Sequence, residues 1–185
     1  RAVAKNESGN ILFNNVSKKA IGMFAQNGGE IINNGTIKGN GTTSLEDTVG
    51  MVIQPANGTK KSNGTNTGTI DLEGKKVTGV YNQGIFKMEN ANSSVTTAGD
   101  GAISLYARGN TSETKINSGK IIAKKGALGL FANENATVNL GTSSDAPELE
   151  AHGAGTLLFY NYTKDTFGNY TANGIFKLNN NNVKA

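Results

Sequence analysis

A short sequence phrase recurs six times along the chain, and its period restricts the folds that the chain can adopt. In each copy apolar residues flank one tiny residue, as in the run Ala-Ile-Gly-Met-Phe at 20–24. The aligned tiny residues are Gly22, Gly50, Gly79, Ser104, Gly129 and Thr156. Successive intervals are 28, 29, 25, 25 and 27 residues. Such self-similarity is typical of stacked repeat architectures, in which each repeat contacts only its neighbours.

Each repeat contains three short β-prone runs separated by corners rich in Asn and Gly. The first repeat predicts strands over 21–25, 30–33 and 36–38, and the fifth predicts them over 128–132, over 137–140 and around Leu149. No helical i, i+3, i+4 pattern persists along the chain. Three strands in 25 to 29 residues predict an all-β fold, a parallel β-helix of about six coils.

The composition agrees with a solenoid that turns often. The chain has 26 Asn and 25 Gly among 185 residues, with two Pro and no Cys. Asn and Gly tolerate tight corners, and the apolar residues, 36% of the chain, lie in short runs. Because the pattern is already running at both termini, we expect residues 1–185 to be a single β-helix segment excised from a longer solenoid.

Alternation along the first strand of each repeat predicts which side chains face inward. The inward column is expected to contain Ile21, Met23, Ala25, Val49, Met51, Ile53, Ile103, Leu105, Ala107, Leu128, Leu130 and Ala132. The tiny residues are expected on the opposite side, beside an outer stripe formed by Phe24, Val52, Tyr81, Tyr106, Phe131 and Leu158. An exposed apolar strip marks an interaction site, so its aromatic members are candidate partner-binding residues. Alternatively, the like residues stack to stabilise the sheet, or a loop covers them.

Longer interruptions of the repeat are a second place to look for function, since rigid scaffolds carry function on their insertions. They fall at 39–47, 54–68, 141–147 and 160–173. The last contains Tyr160, Tyr162, Phe167 and Tyr170 within eleven residues. Dense tyrosines provide amphipathic contact area at low entropic cost. These four residues are therefore candidate partner-binding residues, unless the loop folds down onto the aromatic stripe.

Charges alternate in sign just before each copy of the phrase. The groups are Lys18-Lys19, Glu46-Asp47, Lys75-Lys76, Asp100 and Lys124-Lys125. If coils stack about 4.8 Å apart, each charged group lies beside one of opposite sign, which favours one stacking register. We therefore attribute the net charge of +4 to this pattern, and we expect no nucleic-acid partner.

Catalytic chemistry is not supported by the acidic residues. Cleavage of a glycosidic bond needs two carboxylates about 5–10 Å apart. The aspartates are Asp47, Asp71, Asp100, Asp145 and Asp165. They do not fall on one face of adjacent coils, while Glu148 and Glu150 flank Leu149 on an outward edge. His152 is the single histidine, expected at an exposed corner. We predict no catalytic residue, no metal site and no cofactor.

A family resemblance rests on the repeated motifs. The runs Ala-Ile-Gly-Met-Phe-Ala at 20–25 and Glu-Ile-Ile-Asn-Asn-Gly-Thr-Ile at 30–37, with Lys-Lys before later copies, resemble passenger domains of type V autotransporters. The similarity is greatest to the large fusobacterial outer-membrane adhesins and more distant to vacuolating-cytotoxin passengers. It covers residues 9–178. It implies that the β-helix is right-handed, which the general preference of parallel crossovers supports. It also implies secretion across the outer membrane and display on the bacterial surface, and it transfers no catalytic residue.

The resemblance implies a non-enzymatic adhesin segment, in which a stiff rod mediates attachment. Its partners would be a host cell-surface protein or glycan, or the surface of another bacterium. We expect the fragment itself to be monomeric and not to insert into membranes. The alternatives are a non-binding spacer within the passenger and a toxin-like subunit, whereas a polysaccharide lyase or hydrolase is disfavoured.

Overall fold

The computed structural model describes residues 1–14, 18–39, 45–164 and 166–185, and in these ranges the chain winds into a parallel β-helix. In chain order the strands are β1 (Val3–Asn6), β2 (Asn10–Phe13), β3 (Ile21–Ala25), β4 (Glu30–Asn33), β5 (Thr36–Gly39), β6 (Leu45–Glu46), β7 (Val49–Ile53), β8 (Asn63–Asn66), β9 (Thr69–Lys75), β10 (Thr78–Asn82), β11 (Ile85–Met88), β12 (Ser94–Ala98), β13 (Ile103–Arg108), β14 (Glu113–Ile116), β15 (Lys120–Lys124), β16 (Leu128–Asn133), β17 (Thr137–Leu140), β18 (Glu148–His152), β19 (Leu157–Tyr160), β20 (Tyr162–Lys164), β21 (Tyr170–Ala172) and β22 (Ile175–Leu178).

Three parallel sheets form the walls of the rod. The first sheet has the order β3-β7-β10-β13-β16-β19 and contains the six copies of the repeated phrase. The second has the order β1-β4-β8-β11-β14-β17-β22, and the third β2-β5-β9-β12-β15-β18, with β6 beside β9. One coil contributes one strand to each sheet. The predicted all-β parallel β-helix of about six three-stranded coils is therefore confirmed, while its handedness stays a prediction.

Equivalent residues of successive coils stack in columns inside the rod. The inward column of the third sheet is in register from end to end and consists of Ile11, Ile37, Ile70, Val95, Ile121 and Leu149. Five of these six side chains are buried, and Ile11 is partly buried against them. Burying one such side chain contributes roughly 1.5–3 kcal/mol. The narrow core therefore accumulates stability coil by coil.

Buried asparagines form a second kind of column, at the end of the second-sheet strands. The Nδ2 group of Asn6 donates to Oδ1 of Asn33 at 2.8 Å, and Nδ2 of Asn33 donates to Oδ1 of Asn66 at 2.8 Å. Asn33 and Asn66 are fully buried. Each amide satisfies the next, so the polar groups are buried without the cost of an unpaired donor. Further along, Met88 occupies the same column, and the ladder of amides gives way to apolar packing.

The alternation predicted for the first sheet breaks at the tiny residue. A Cβ added at Gly22 would lie 2.7 Å from the carbonyl oxygen of Gly50 and 3.1 Å from Cγ2 of the core residue Ile37. The tiny residue therefore points inward, as does Met23 immediately after it, and the Cα pairing of β3 with β7 skips this position. The aligned Ser104 likewise points inward, and its hydroxyl lies 2.9 Å from that of Thr97.

This break corrects two predictions about the faces of the first sheet. The tiny residues do not lie on the outer surface, because only a side chain of their size fits against the next coil. Ile21, predicted to be inside, is 49% exposed, and its counterparts Val49, Ile103 and Leu128 are only half-buried. Met23, Ala25 and their counterparts Met51, Ile53, Leu105, Ala107, Leu130 and Ala132 are buried as predicted.

The sixth copy of the phrase is displaced by two residues from its predicted alignment. Leu157 pairs with Leu128, and Tyr160 pairs with Phe131. Leu158 is therefore the equivalent of Gly129, instead of Thr156, and Leu158 is not a member of the outer stripe. The sequence comparison failed here because this copy has no tiny residue and a longer corner before it. Backbone pairing, which includes Leu157 N–H donating to the Ala127 carbonyl at 3.2 Å, sets the true register.

Charged residues occupy the corners that lead into the first sheet. The predicted attraction between neighbouring coils is observed where Lys18 Nζ lies 3.0 Å from Glu46 Oε2. Lys125 instead pairs with Glu73, which lies two coils away and outside the predicted series. Lys19 and Asp47 have left-handed backbones with φ of 57° and 49°, and Lys76 and Lys125 are alike. Non-glycine residues adopt this conformation only at a cost. The stacking of coils therefore imposes a left-handed backbone at these corners, even where the residue is Lys or Asp and not Gly.

The predicted interruptions are partly regular structure. The segment over 54–68 contains β8, whose Asn-Gly-Thr-Asn sequence lacks the apolar residues typical of a strand. A Cβ added at Gly64 would lie 2.7 Å from Cγ1 of Ile53, so an apolar side chain has no room there. In the segment over 39–47, residues 40–44 lie outside the described residues.

We expect the substitution Gly68→Ala to destabilise the fold, because the new methyl group would collide with the carbonyl oxygen of Gly35 in the preceding coil. Overpacking of this kind costs about 1–3 kcal/mol, measurable as a fall in the free energy of unfolding in urea. Gly58→Asn is the control, since nothing lies within 4 Å of that position and Asn tolerates its φ of 61°. Equal stability of Gly68→Ala and the unsubstituted protein would contradict the proposed collision.

Candidate functional site

Four aromatic rings stack along the outer surface of the first sheet, and we call them the aromatic ladder: Tyr81, Tyr106, Phe131 and Tyr160. The ring centroids of Tyr81 and Tyr106 are 5.1 Å apart and edge-to-face, and those of Tyr106 and Phe131 are 4.5 Å apart and stacked. Phe131 and Tyr160 meet edge-to-face at 5.3 Å. Such pairs contribute about 0.5–1.5 kcal/mol each beyond burial. The rings therefore pack against one another along the rod.

Polar side chains on the neighbouring corner hold the ladder's hydroxyl groups. Nδ2 of Asn133 donates to the Tyr106 hydroxyl at 2.9 Å, and Nη1 of Arg108 donates to the Tyr81 hydroxyl at 3.4 Å. Arg108 in turn pairs with Glu134, with Nη2 and Oε1 2.6 Å apart. The hydrogen bond from Arg108 lowers the pKa of Glu134, and the hydrogen bond to Glu134 raises the pKa of Arg108. The ladder is thus fixed by ring stacking and by its hydroxyl contacts.

Beside the ladder runs a second outward column, which we call the aliphatic column: Ile21, Val49, Thr78, Ile103, Leu128 and Leu157. Its members are half-buried or exposed. The outward column of the second sheet differs, because it carries Lys5, Lys87, Lys115 and Lys177. The first sheet alone therefore presents an outer face that is apolar across both columns, about twice as wide as a single stripe.

The insertion after β19 folds into a small antiparallel hairpin, formed by β20 and β21. Tyr162 pairs with Ala172 and Lys164 with Tyr170. Asn161 Nδ2 donates to the Gly174 carbonyl at 3.1 Å, and the backbone N–H of Glu134 donates to Oδ1 of Asn173 at 3.1 Å. Both ends of the hairpin are therefore tied to the rod at the corner between the first and second sheets.

The hairpin carries the most exposed aromatic side chains of the described residues. Phe167 is 89% exposed, Tyr170 63% and Tyr162 47%. Lys164 Nζ lies 5.4 Å from the centre of the Tyr170 ring, which places a cation beside an aromatic face. Large apolar side chains at this level of exposure, held on an anchored hairpin, form a surface suited to contact with a partner.

Five of the eight predicted site residues are brought into one continuous array. Tyr160 belongs to the ladder, although it was assigned to the loop, and its ring centroid is 6.4 Å from that of Tyr162 on the hairpin. Ladder and hairpin are thus adjacent. Phe167 and Tyr170 lie on the same hairpin as Tyr162, Phe167 in its turn and Tyr170 in β21. Phe24 does not belong to the array, because Val52 separates it from Tyr81 in the same column. Its side chain is 44% exposed.

Sequence reasoning missed the residues that fix the ladder. Arg108 and Asn133 pair with each other across β13 and β16. Each follows its ladder ring, Tyr106 or Phe131, by two positions and so lies on an adjoining site of the strand. A polar residue two positions after each ladder ring is a pattern that can be read from the sequence. Glu134 was not detectable in this way, because its role depends on the corner geometry.

Two of the carboxylates considered for catalysis, Glu148 and Glu150, lie in ion pairs on the third sheet. Lys120 Nζ is 2.8 Å from Glu148 Oε2 and 3.1 Å from Glu150 Oε1, and His152 Nε2 is 2.7 Å from Glu150 Oε2. The hydrogen bond from His152, and then that from Lys120, lowers the pKa of Glu150. A general acid needs a raised pKa, so Glu150 is unsuited to that role. His152 is exposed at the end of β18. Asp165 lies outside the described residues.

Two further observations concern the parts of the chain that the structure describes. In these parts no three His, Asp or Glu side chains are grouped so that they could hold a metal ion. In the same parts no helix has the length and hydrophobicity that crossing a bilayer requires.

Comparisons with protein-family models, with curated proteins and with solved structures each find no match.

If the ladder stabilises the sheet, removing one of its inner rings should lower the free energy of unfolding more than removing an exposed aromatic ring that has no ring partner. We expect Phe131→Ala to lower the free energy of unfolding by roughly 1–3 kcal/mol through its two ring contacts alone. Phe24→Ala is the matched control on the same face, and it should cost roughly 0.5 kcal/mol. Urea denaturation measures both, and equal losses for the two variants would contradict a stabilising ladder.

The half-buried side chain of Tyr106 gives the fold a dependence on alkaline pH. Burial raises the pKa of Tyr106 above its ordinary value, although the Asn133 hydrogen bond opposes this. An unfolded tyrosine ionises near pH 10, so the unfolded state loses its proton first. The stabilisation is present below about pH 10 and is lost as the pH rises through the folded pKa. Unfolding measured against pH should show this fall, and Tyr106→Phe should reduce it; an unchanged fall would contradict the assignment.

Proposed function

We propose that this chain is a segment of a bacterial surface adhesin, in which a β-helical rod carries an aromatic hairpin to a partner surface. The observation that carries the proposal is the exposure of Tyr162, Phe167 and Tyr170 on a hairpin anchored at both ends. The resemblance of the repeats to autotransporter passengers supports it. The partner is a protein or glycan on a host cell, or the surface of another bacterium.

The hairpin is a better contact site than the aromatic ladder. Ladder rings pack against their neighbours at 4.5–5.3 Å, and the hydroxyls of Tyr81 and Tyr106 already have polar contacts. A sugar or an apolar side chain needs an accessible ring face. The hairpin rings are mostly exposed and, together with Lys164, combine apolar area with a positive charge, a composition typical of recognition surfaces.

The role of the rod is to present the hairpin on a rigid support. Interior columns of side chains and continuous parallel backbone pairing link each coil to the next, and a stack of this kind behaves as a stiff one-dimensional scaffold. The anchoring residues Asn161 and Asn173 join the hairpin to that scaffold. Little conformational entropy is therefore lost when the hairpin binds.

Binding of the purified, labelled chain to epithelial cells and to other bacteria tests the proposal. We expect saturable binding that falls at least tenfold when Tyr162, Phe167 and Tyr170 are all replaced by Ser, because the exposed apolar contacts are removed. The matched control replaces Val3, Leu12 and Leu178, which are 42–60% exposed and lie outside both the hairpin and the first sheet, with Ser. That control should bind like the unsubstituted chain.

Binding that the control reduces as much as the hairpin variant would contradict the assignment of the site. Absence of binding by the folded chain would identify a spacer segment instead. Cells treated with protease or with glycosidases separate the two partner classes, since only one treatment should remove the binding.

A further inference from the structure

The outer face of the first sheet has a composition that monomeric parallel sheets avoid. Parallel sheets are normally covered on both faces, yet the ladder and the aliphatic column leave this one apolar and half-exposed over six strands. At strand spacings of about 4.8 Å and rises of about 3.3 Å per residue, the face covers roughly 400 Å². The largest apolar patch on a typical monomer covers about 300–600 Å² and is often functional, so the area of this face is compatible with an interaction surface.

One border of this face is lined by the charged corners, which alternate in sign along the rod. From β3 to β16 the groups preceding the strands are Lys18-Lys19, Glu46-Asp47, Lys75-Lys76, Asp100 and Lys124-Lys125. All but Glu46 are exposed. Among the described residues, Asp47, Lys76, Asp100 and Lys124 form no ion pair. We call this border the charged rim. The hairpin leaves the sheet from the opposite border, so it does not cover the rim.

When charges alternate in sign over an even number of strands, reversing the strand order places every charge opposite one of the other sign. The rim of one copy is therefore complementary to the reversed rim of a second copy. Reversal about a centre between β10 and β13 places Lys75-Lys76 opposite Asp100. It places Glu46-Asp47 opposite Lys124-Lys125, and it brings Lys18-Lys19 opposite the Glu150–His152 end of β18. A two-fold axis parallel to the strands, with two rods antiparallel, brings rim to rim in this order. An axis along the rods would instead set the rim against the border that carries Gln54, Gln83 and the Arg108–Glu134 ion pair, where charges do not alternate from coil to coil.

In place of the monomer expected from the sequence, we propose that two copies of this chain pack face to face through their first sheets, with the rods antiparallel and the two charged rims in contact. The interface is isologous, as in most homodimers. In its centre Tyr81 and Ile103 of one copy approach Tyr106 and Thr78 of the other. Two faces bury roughly 800 Å² before the rims are added, which places the complex among weak interfaces.

Sedimentation velocity over a concentration series tests this arrangement on the full chain. We expect a monomer–dimer equilibrium that weakens at least tenfold in Ile103→Lys, which sets a charge in the centre of the face. Combined Lys75→Glu and Lys76→Glu should weaken it similarly, because they oppose Asp100 of the other copy. Adding Asp100→Lys should restore the dimer, since opposite signs then meet again.

The restoration separates an effect between copies from one within a copy. Within one chain, Lys75→Glu and Lys76→Glu create two like-signed neighbours, with Glu46-Asp47 and with Asp100. After Asp100→Lys there are still two, since the new cation lies beside Lys124-Lys125. Intramolecular stability therefore predicts no rescue. Lys87→Glu with Lys115→Glu, which makes the same charge change on the second sheet, is the control and should leave the dimer unaffected.

A monomer at the highest soluble concentration would overturn the proposal, and so would a dimer that Ile103→Lys leaves intact. A dimer lost in Ile103→Lys but not restored by Asp100→Lys would overturn the antiparallel arrangement. Circular dichroism confirms that each variant folds. Cell binding through the hairpin is a separate readout, so failure of either proposal leaves the other standing.

Discussion

Register-preserving hydrogen bonding between successive coils is the constraint on which the rest of the structure depends. Each strand must lie about 4.8 Å from its neighbour and place like positions above one another. A tiny residue is required where Gly22 meets Gly50, and no Cβ fits where Gly68 meets Gly35. Corners such as Lys76 accept a left-handed backbone for the same reason. Local preferences give way wherever they conflict with the stacking distance.

The same constraint decides the chemistry of the surface. Because equivalent positions stack, a residue type that recurs outside becomes a continuous column, whether aromatic, aliphatic or charged. The aromatic rings of Tyr106 and Phe131 meet because each follows the tiny residue of its coil by two positions. Buried amides such as Asn33 and Asn66 meet on the same principle. Only the hairpin departs from it, since an insertion is free of the stacking distance and can expose Phe167 and Tyr170.

The period, the three strands per coil and the stacked columns could be predicted from the sequence, because Ile37, Ile70 and their equivalents repeat a recognisable pattern. The predictions that failed concern positions whose environment is set by residues of neighbouring coils. Gly22 and Met23 both face inward, which simple alternation does not foresee, and Ile21 is consequently exposed. Tyr160 joined the ladder because backbone pairing set the register where the sequence had lost its tiny residue. The hairpin's aromatic content was visible, but its anchoring through Asn161 and Asn173 needed the fold.

The interior amide ladder and the paired strands join only coils adjacent in sequence, with partners such as Asn6 and Asn33 27 residues apart. Tension applied to the chain's ends would therefore meet one coil at a time. Each release would lengthen the molecule by about 90 Å, since an extended residue spans roughly 3.4 Å, while the remaining stack keeps its shape. A rod of this construction yields in nearly equal steps. The hairpin lies between β19 and β22, in the last coil, so a pull at that end reaches the hairpin before the coils in the middle of the rod.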